Sequence, residues 1–222
     1  MRRVLMLVEG QTEETFVREL LAPHLWARDV APIPVLATTK VVKSGPNFKG
    51  GLVSYGKARN QIMRLLLDTE AVAVTTMLDL NALPSDFPGY GTRPMTDCYR
   101  KVAHLEQAFS RDINHLRFKP YLQLHEFEAF MFVDPDITAA LFAGAHVAQD
   151  LRHVKDDFGS PEEIDEEPDT APSKRILAVF RMYEKTLHGP LVTIELGLGR
   201  IRDECPHFNQ WLTWLEGLAA RQ

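Results

Sequence analysis

A chain of 222 residues with 45% hydrophobic and 25% charged residues is typical of one globular domain that can bury a core. Its net charge of −5 argues against a general coat protein for nucleic acid. No apolar run approaches the roughly 20 residues that cross a membrane, so no membrane partner is expected. Glu9 interrupts the first apolar run too early for a signal peptide, and the two cysteines form no CxxC motif, which favours a cytoplasmic protein.

Predicted strands and helices alternate along the first part of the chain. The apolar residues 3–9 predict a buried strand, and Gly10 and Thr12 predict a turn into a helix. The elements predicted next are a strand at 33–39, a helix at 56–68, a strand at 71–78, a helix at 95–112 and a strand near 117–124. This order predicts an α/β fold with a mostly parallel sheet flanked by helices.

The character of the sequence changes after this alternation, which suggests three regions. Residues 1–150 are predicted to form the α/β core. Residues 151–172 are predicted to form an acidic, solvated loop, because 156–169 contain eight acids. Residues 173–222 are predicted to form a helical C-terminal segment that packs on the core through apolar residues such as Trp211 and Leu215.

Acidic residues follow three of the predicted apolar strands. These acids are Glu9, Asp79, and Glu126 with Glu128. Ligands of α/β sheets bind at the carboxyl ends of the strands, and neighbouring parallel strands bring those ends to one edge. Carboxylates held close together repel unless a cation neutralises them or one takes up a proton. Because oxygen ligands suit Mg²⁺ or Mn²⁺, the sequence predicts a metal site at this edge.

Two of these assignments leave alternatives open. Glu13 follows Glu9 by four residues across the Gly10 turn, so it either faces the same pocket or only caps the helix. Glu126 and Glu128 would share a face on a strand but point about 200° apart on a helix. We therefore expect only one of them to be a direct ligand.

Several motifs together resemble a bacterial family of Toprim-like proteins. The stretch VEGQTEE after a buried strand resembles the opening of a Toprim domain, the metal-binding fold of topoisomerases, primases and OLD-type (overcoming lysogenization defect) nucleases. The matching stretches are VEGQTEETFV (8–17), TTMLDLNALPSDFPG (75–89), LHEFEAFMF (124–132), PSKRI (172–176), HGP (188–190) and IRDECPHFNQWL (201–212). The resemblance covers nearly the full length and implies a Toprim-like or Rossmann-like sheet with a helical C-terminal part.

The resemblance also implies roles for individual acids. In Toprim enzymes a glutamate after the first strand and an Asp-x-Asp after a later strand surround one or two Mg²⁺ ions. Glu9 matches the first position, Glu13 matches a second glutamate of OLD-type nucleases, and Asp79 matches the first aspartate. Asn81 replaces the second aspartate, which removes one ligand, and Glu126 or Glu128 would supply the missing charge.

A nuclease of this type also needs positive charge near the phosphate. The predicted catalytic residues are Glu9, Glu13, Asp79 and Lys174 of the PSKR stretch, with the lysine supplying the positive charge. The alternative is that Lys174 and Arg175 are only a basic pair on the surface. Residues 40–64 contain six basic residues and no acid, with glycines, Phe48 and Tyr55 between them. This pattern is typical either of phosphate contacts with base stacking or of a solvated loop. The predicted nucleic-acid contacts are Lys40, Lys43, Lys49, Lys57 and Arg59.

Three functions compete at this point. The first is a Mg²⁺- or Mn²⁺-dependent nuclease that cleaves nucleic acid, with DNA favoured over RNA. The resemblance implies a separately encoded ABC-type ATPase partner and a role in phage defence. The second is a non-catalytic Toprim-fold subunit that regulates an ATPase complex. The third is a phosphotransfer or nucleotide-processing enzyme, which the absence of a nucleotide loop disfavours.

Overall fold

A computed structural model describes residues 1–38, 54–95, 97–142, 145–164 and 169–220. The strands in these ranges are β1 (Arg2–Val8), β2 (Val30–Leu36), β3 (Ala71–Asp79), β4 (Phe118–Lys119) and β5 (Leu122–Gln123). The α-helices are α1 (Gln11–Phe16), α2 (Ala22–Trp26), α3 (Tyr55–Leu65), α4 (Cys98–Ile113), α5 (Pro135–Leu141), α6 (Ala145–Asp156), α7 (Pro172–Val179), α8 (Lys185–Glu204) and α9 (Pro206–Gly217). A π-helical turn (Val17–Leu21) joins α1 to α2, and a 3₁₀ segment (Phe127–Phe132) follows β5.

The strands form a parallel sheet in the order β2-β1-β3-β4, and β5 pairs with the end of β3. Central strand β1 is buried on both faces, because Val4 and Met6 belong to one core cluster and Leu5 and Leu7 to the other. Helices α3 and α4 cover one face, and α1, α8 and α9 cover the other. The predicted α/β fold with a mostly parallel, helix-flanked sheet is confirmed.

Prolines explain where the strand boundaries differ from prediction. The predicted strand at 117–124 is divided into β4 and β5 at Pro120, which has no N–H to donate to a neighbouring strand. Strand β2 begins at Val30 and includes Pro32 and Pro34. It tolerates both prolines because it lies at the edge of the sheet, where one side needs no hydrogen bonds.

The C-terminal helix α9 seals one face of the sheet. Trp211 stacks on Tyr121 with ring centroids 4.3 Å apart, and its Nε1 donates to Thr75 Oγ1 at 3.0 Å. Glu162 is buried and accepts the backbone N–H groups of His207 and Phe208, at 2.8 and 2.9 Å, in the first turn of α9. Two parts of the segment predicted as a solvated acidic loop differ from that prediction. Residues 151–156 lie in α6, and Glu162 caps α9. No helix among the described residues is long and apolar enough to span a bilayer.

Candidate metal centre

The acids predicted at the strand ends all line one cavity of about 690 Å³ at the carboxyl edge of the sheet. They are Glu9, Glu13, Asp79, Glu126 and Glu128. The sheet register explains the convergence, because β1 pairs with β3 up to Val8 and Met77, and β5 pairs with β3 up to Asp79. The acid that follows each strand therefore faces the same space.

Glu9 is fixed by the neighbouring strand. Its Oε2 accepts the backbone N–H of Asp79 at 3.0 Å. Burial raises the pKa of Glu9 well above its ordinary value, and the negative charge of Asp79 raises it further. Burial also raises the pKa of Asp79, to about 7, although Lys185 opposes the increase. The two carboxylates are thus held where a negative charge is costly unless a cation is near.

Glu13 serves both of the roles that the sequence left open. Its Oε2 accepts the backbone N–H of Gly10 at 2.8 Å, which closes the turn into α1. Its Oε1 is buried in the cavity and has no hydrogen-bond partner among the described residues. Glu14, the next acid, pairs instead with Arg18 on the surface of the helix.

Lys185 supplies the positive charge at the centre of the site. Its Nζ lies 3.0 Å from Asp79 Oδ2 and 3.2 Å from Glu128 Oε2. Glu13 Oε1 lies 3.7 Å from the same nitrogen. Burial lowers the pKa of Lys185, but the carboxylates of Asp79 and Glu128 outweigh it and raise that pKa well above its ordinary value. Lys185 is therefore an ammonium ion that partly compensates at least three acids.

No motif in the sequence identifies Lys185 as a site residue. It is the first residue of α8 and precedes the HGP motif, but no acid pattern or glycine loop surrounds it. Lys174, the predicted catalytic lysine, is exposed on α7 and does not line the cavity. The residue before it does line the cavity, and the backbone N–H of that Ser173 donates to Glu126 Oε2 at 2.9 Å.

The turn after β5 directs both remaining glutamates into the cavity. His125 is buried and has a left-handed backbone (φ 60°), which turns the chain before the 3₁₀ segment. Its carbonyl oxygen accepts the backbone N–H of Asn81 at 3.0 Å. Glu126 then caps α7, whereas Glu128 is buried beside Lys185 and accepts a hydrogen bond from Tyr183 at 3.2 Å. Of the two glutamates, Glu128 lies closer to the central charge.

The donor set fits a hard divalent ion in chemistry. Glu13 Oε1, Asp79 Oδ1 and Glu128 Oε2 are buried oxygens without hydrogen-bond partners in the described ranges, and oxygen is the donor that Mg²⁺ and Mn²⁺ prefer. However, no group of three or more His, Cys, Asp or Glu residues in those ranges has its donors arranged to hold a metal ion. The ammonium of Lys185 stands among these oxygens, so metal binding requires a rearrangement around Lys185.

The basic stretch is only partly described. Lys40, Lys43, Lys49 and Phe48 lie outside the described residues. Lys57 is exposed on α3, whereas the guanidinium of Arg59 is paired with Asp112 at 2.9 Å. Tyr55, one of the two aromatics of this stretch, is buried and packs edge-on against Phe87 and Phe109, so in this structure its ring belongs to the core.

These features define an α/β protein with a carboxylate-lined cavity at the carboxyl edge of a parallel sheet. Residues 8–216 match the family model described as "Domain of unknown function (DUF4276)", and the chain belongs to this family. No curated protein matches the chain significantly.

Two solved structures are similar to this chain. One is the C-terminal region of the Burkholderia pseudomallei OLD protein, with 14% identity, 99% of both chains covered and a TM-score of 0.46. The other is the C-terminal region of the Xanthomonas campestris pv. campestris OLD protein, with 16% identity, 96% of this chain and 98% of that chain covered, and a TM-score of 0.34.

Proposed function

We propose that this protein is a Mg²⁺- or Mn²⁺-dependent nuclease that hydrolyses phosphodiester bonds, with DNA favoured over RNA. The observation that carries the proposal is a set of buried oxygens on Glu13, Asp79 and Glu128 that accept no hydrogen bond from the described part of the chain and surround Lys185. Burying three carboxylates around a single ammonium group is costly, so a protein that keeps them beside an open cavity is expected to use them.

Each residue has a proposed role. Glu9, Glu13, Asp79 and Glu128 would hold the divalent ion, and Glu126 supports the edge of the cavity through Ser173. When bound, such an ion polarises the phosphoryl group and lowers the pKa of water. Lys185 provides a positive charge for the phosphoryl oxygens as negative charge develops, the role that the sequence analysis assigned to Lys174. The cavity of about 690 Å³ is large enough for a nucleotide unit.

The experiment compares the wild-type protein with Glu9→Gln. Calorimetric titration with Mn²⁺ and Mg²⁺ is followed by incubation with plasmid DNA, single-stranded DNA and RNA. Glutamine retains an oxygen that accepts the Asp79 N–H, so the variant should fold, while binding and cleavage are lost. The matched control is Glu14→Gln, which removes an acid that does not line the cavity and should bind and cleave like the wild type. Metal-stimulated cleavage that survives Glu9→Gln would contradict the proposal.

A second candidate is a non-catalytic regulatory or scaffold subunit of an ATPase complex. Two features favour it: the sequence resemblance puts Asn81 where Toprim enzymes have their second aspartate, and Lys185 already lies among the acids. This candidate predicts that neither wild type nor Glu9→Gln binds Mn²⁺ tightly. In both proposals the partner is a separately encoded ABC-type ATPase and the compartment is the cytoplasm, and the nuclease proposal adds a role in phage defence.

A further inference from the structure

We propose that Gly189 is a positioning residue of this site, because it sets how closely α8 approaches the two acid-bearing turns and so places Lys185 among the carboxylates. The inference deepens the proposed function. It rests on that proposal for what the site does, but not for how Lys185 is placed. It also assigns a role to the HGP motif of residues 188–190, which the proposed chemistry leaves unused.

The main observation is how little room Gly189 has. A Cβ atom at this buried position would lie 3.1 Å from Thr12 Cγ2 and 3.2 Å from Phe127 Cε1. Both neighbours adjoin site residues, since Thr12 precedes Glu13 and Phe127 lies between Glu126 and Glu128. A single glycine contact therefore joins α8 to both of the turns that carry carboxylates.

The spacing along α8 links this contact to the lysine. Lys185 lies four residues before Gly189, about one helical turn, and therefore on the same face of the helix. A displacement of the helix at Gly189 is transmitted directly to the turn that carries Lys185. Such a displacement would lengthen the hydrogen bond from Lys185 Nζ to Asp79 Oδ2, now 3.0 Å, and the ion pair with Glu128 Oε2, now 3.2 Å.

The residues on either side of Gly189 fit this role. His188 Nδ1 accepts the backbone N–H of Glu184 at 2.9 Å, which fastens the start of α8. Pro190 has no N–H, so the helix lacks the bond that would otherwise reach the carbonyl of Thr186. Because this backbone hydrogen bond is missing, the first turn of α8 depends on the contacts of His188 and Gly189 for its position.

The test measures how readily an acetylating reagent modifies Lys185, by mass spectrometry and without metal or substrate. Exposed Lys174 in the same sample is the internal reference. Gly189→Ala should raise the modification rate of Lys185 about tenfold relative to Lys174, because the lysine loses charged hydrogen-bond partners. Thr12→Ser, which removes the methyl group that the new Cβ meets, should bring the rate in Gly189→Ala back toward the wild-type value.

The matched control is Gly199→Ala, a glycine of α8 beyond the kink at Gly197 (φ 73°), with nothing within 4 Å of an added Cβ. An unchanged rate in folded Gly189→Ala, or an equal rise in Gly199→Ala, would overturn the inference. If Gly189→Ala does not fold, Thr12→Ala loosens the same contact without adding an atom. That variant should raise the rate about threefold, and no change would overturn the inference.

The two proposals fail separately in this design. If the wild type neither binds metal nor cleaves nucleic acid, the nuclease proposal is wrong, and the labelling result is unaffected. If the modification rate of Lys185 does not change in Gly189→Ala, the positioning inference is wrong, whatever the protein cleaves.

Discussion

Lys185 Nζ lies 3.0 Å from Asp79 Oδ2, although the two residues are 106 positions apart in the sequence. Asp79 ends a central strand, and Lys185 begins a helix that packs across the sheet from the C-terminal half of the chain. Their contact supplies the cavity with a resident positive charge. In the absence of metal, this charge offsets part of the cost of burying several carboxylates.

Removing this charge should destabilise the metal-free protein. Lys185→Ala leaves Asp79 and Glu128 as buried acids without a cation, and breaking such a pair costs about 3–5 kcal/mol when both partners are fully buried. We expect about 1–3 kcal/mol, because the Lys185 side chain is 37% exposed and solvent screens the charges. Urea unfolding in a chelator measures the loss, and about 1 mM Mn²⁺ should recover much of it.

The control for this prediction is Lys174→Ala. Lys174 is exposed, so its removal should change the free energy of unfolding by less than about 0.5 kcal/mol. If the two variants lost equal stability in the chelator, Lys185 would not be the counter-charge of the cavity. Under the nuclease proposal, Lys185→Ala should also abolish cleavage, whereas Lys174→Ala should retain it.

Under the nuclease proposal, an added acid at position 81 should strengthen metal binding. Asn81 lines the cavity, so Asn81→Asp adds a carboxylate near Asp79. We expect Mn²⁺ to bind about tenfold more tightly, since contacts to charged groups contribute about 1.5–3 kcal/mol and neutral ones about 0.5–1.5 kcal/mol, a difference comparable to the ~1.4 kcal/mol of a tenfold change. The metal-free protein should be slightly less stable because of the added repulsion.

Calorimetric titration of Asn81→Asp with Mn²⁺ checks this expectation. Asn60→Asp is the control, because Asn60 is exposed on α3 and receives the same charge away from the cavity. Equal affinity changes in both variants would point to a general effect of net charge. A weaker affinity in Asn81→Asp alone would show that residue 81 does not face the ion.

Glu162 should be a major determinant of stability. It is fully buried, and both of its oxygens accept backbone N–H groups in the first turn of α9. Glu162→Ala should lower the free energy of unfolding by about 2–4 kcal/mol, because two buried donors lose their acceptor. Glu163→Gln is the control, since Glu163 accepts one N–H, from Gly159, and should lose less than about 1 kcal/mol. Similar losses in both variants, measured by urea unfolding, would contradict this role.

His207 should make stability depend on pH. Burial lowers the pKa of His207, but hydrogen bonding to Glu106 and the nearby Glu162 outweigh it and raise that pKa above its ordinary value. A raised pKa means that the folded protein favours the protonated imidazole. Its contribution, on the order of 1 kcal/mol, is therefore complete below about pH 6.5 and is lost as pH rises through the folded pKa.

The measurement for His207 is the stability difference between wild type and His207→Gln across pH 5.5 to 8.5, taken as roughly the range around an ordinary histidine pKa. This difference should be largest at the acidic end and shrink toward the alkaline end. His146→Gln, at an exposed position on α6, should show no such trend. A difference that grows with pH would reverse the assigned sign.

Much of the fold and half of the site follow from local sequence patterns. The apolar runs of β1 and β3 identify central strands, because buried parallel strands need apolar residues on both faces. The acids that follow those runs converge as a consequence of parallel pairing alone. Glu9 and Asp79 could therefore be placed at one edge of the sheet before their distance was known.

Other features depend on contacts between distant parts of the chain. Glu162 lies in a segment whose acidic composition predicts exposure to solvent. It is buried instead, because the first N–H groups of α9 need an acceptor. Tyr55 lies in a basic, glycine-rich stretch, but the amphipathic face of α3 buries it. Composition averages over such residues and cannot identify the one that a neighbouring helix will cover.

The sequence by itself determined the parallel α/β sheet and the acids at its carboxyl edge, because strand periodicity and strand ends are local properties. Only the tertiary structure decided which lysine serves those acids. Lys174 and Lys185 both begin C-terminal helices, and no local pattern distinguishes them. The close approach of α8 at Gly189 places Lys185 among the carboxylates, whereas Lys174 is exposed on α7.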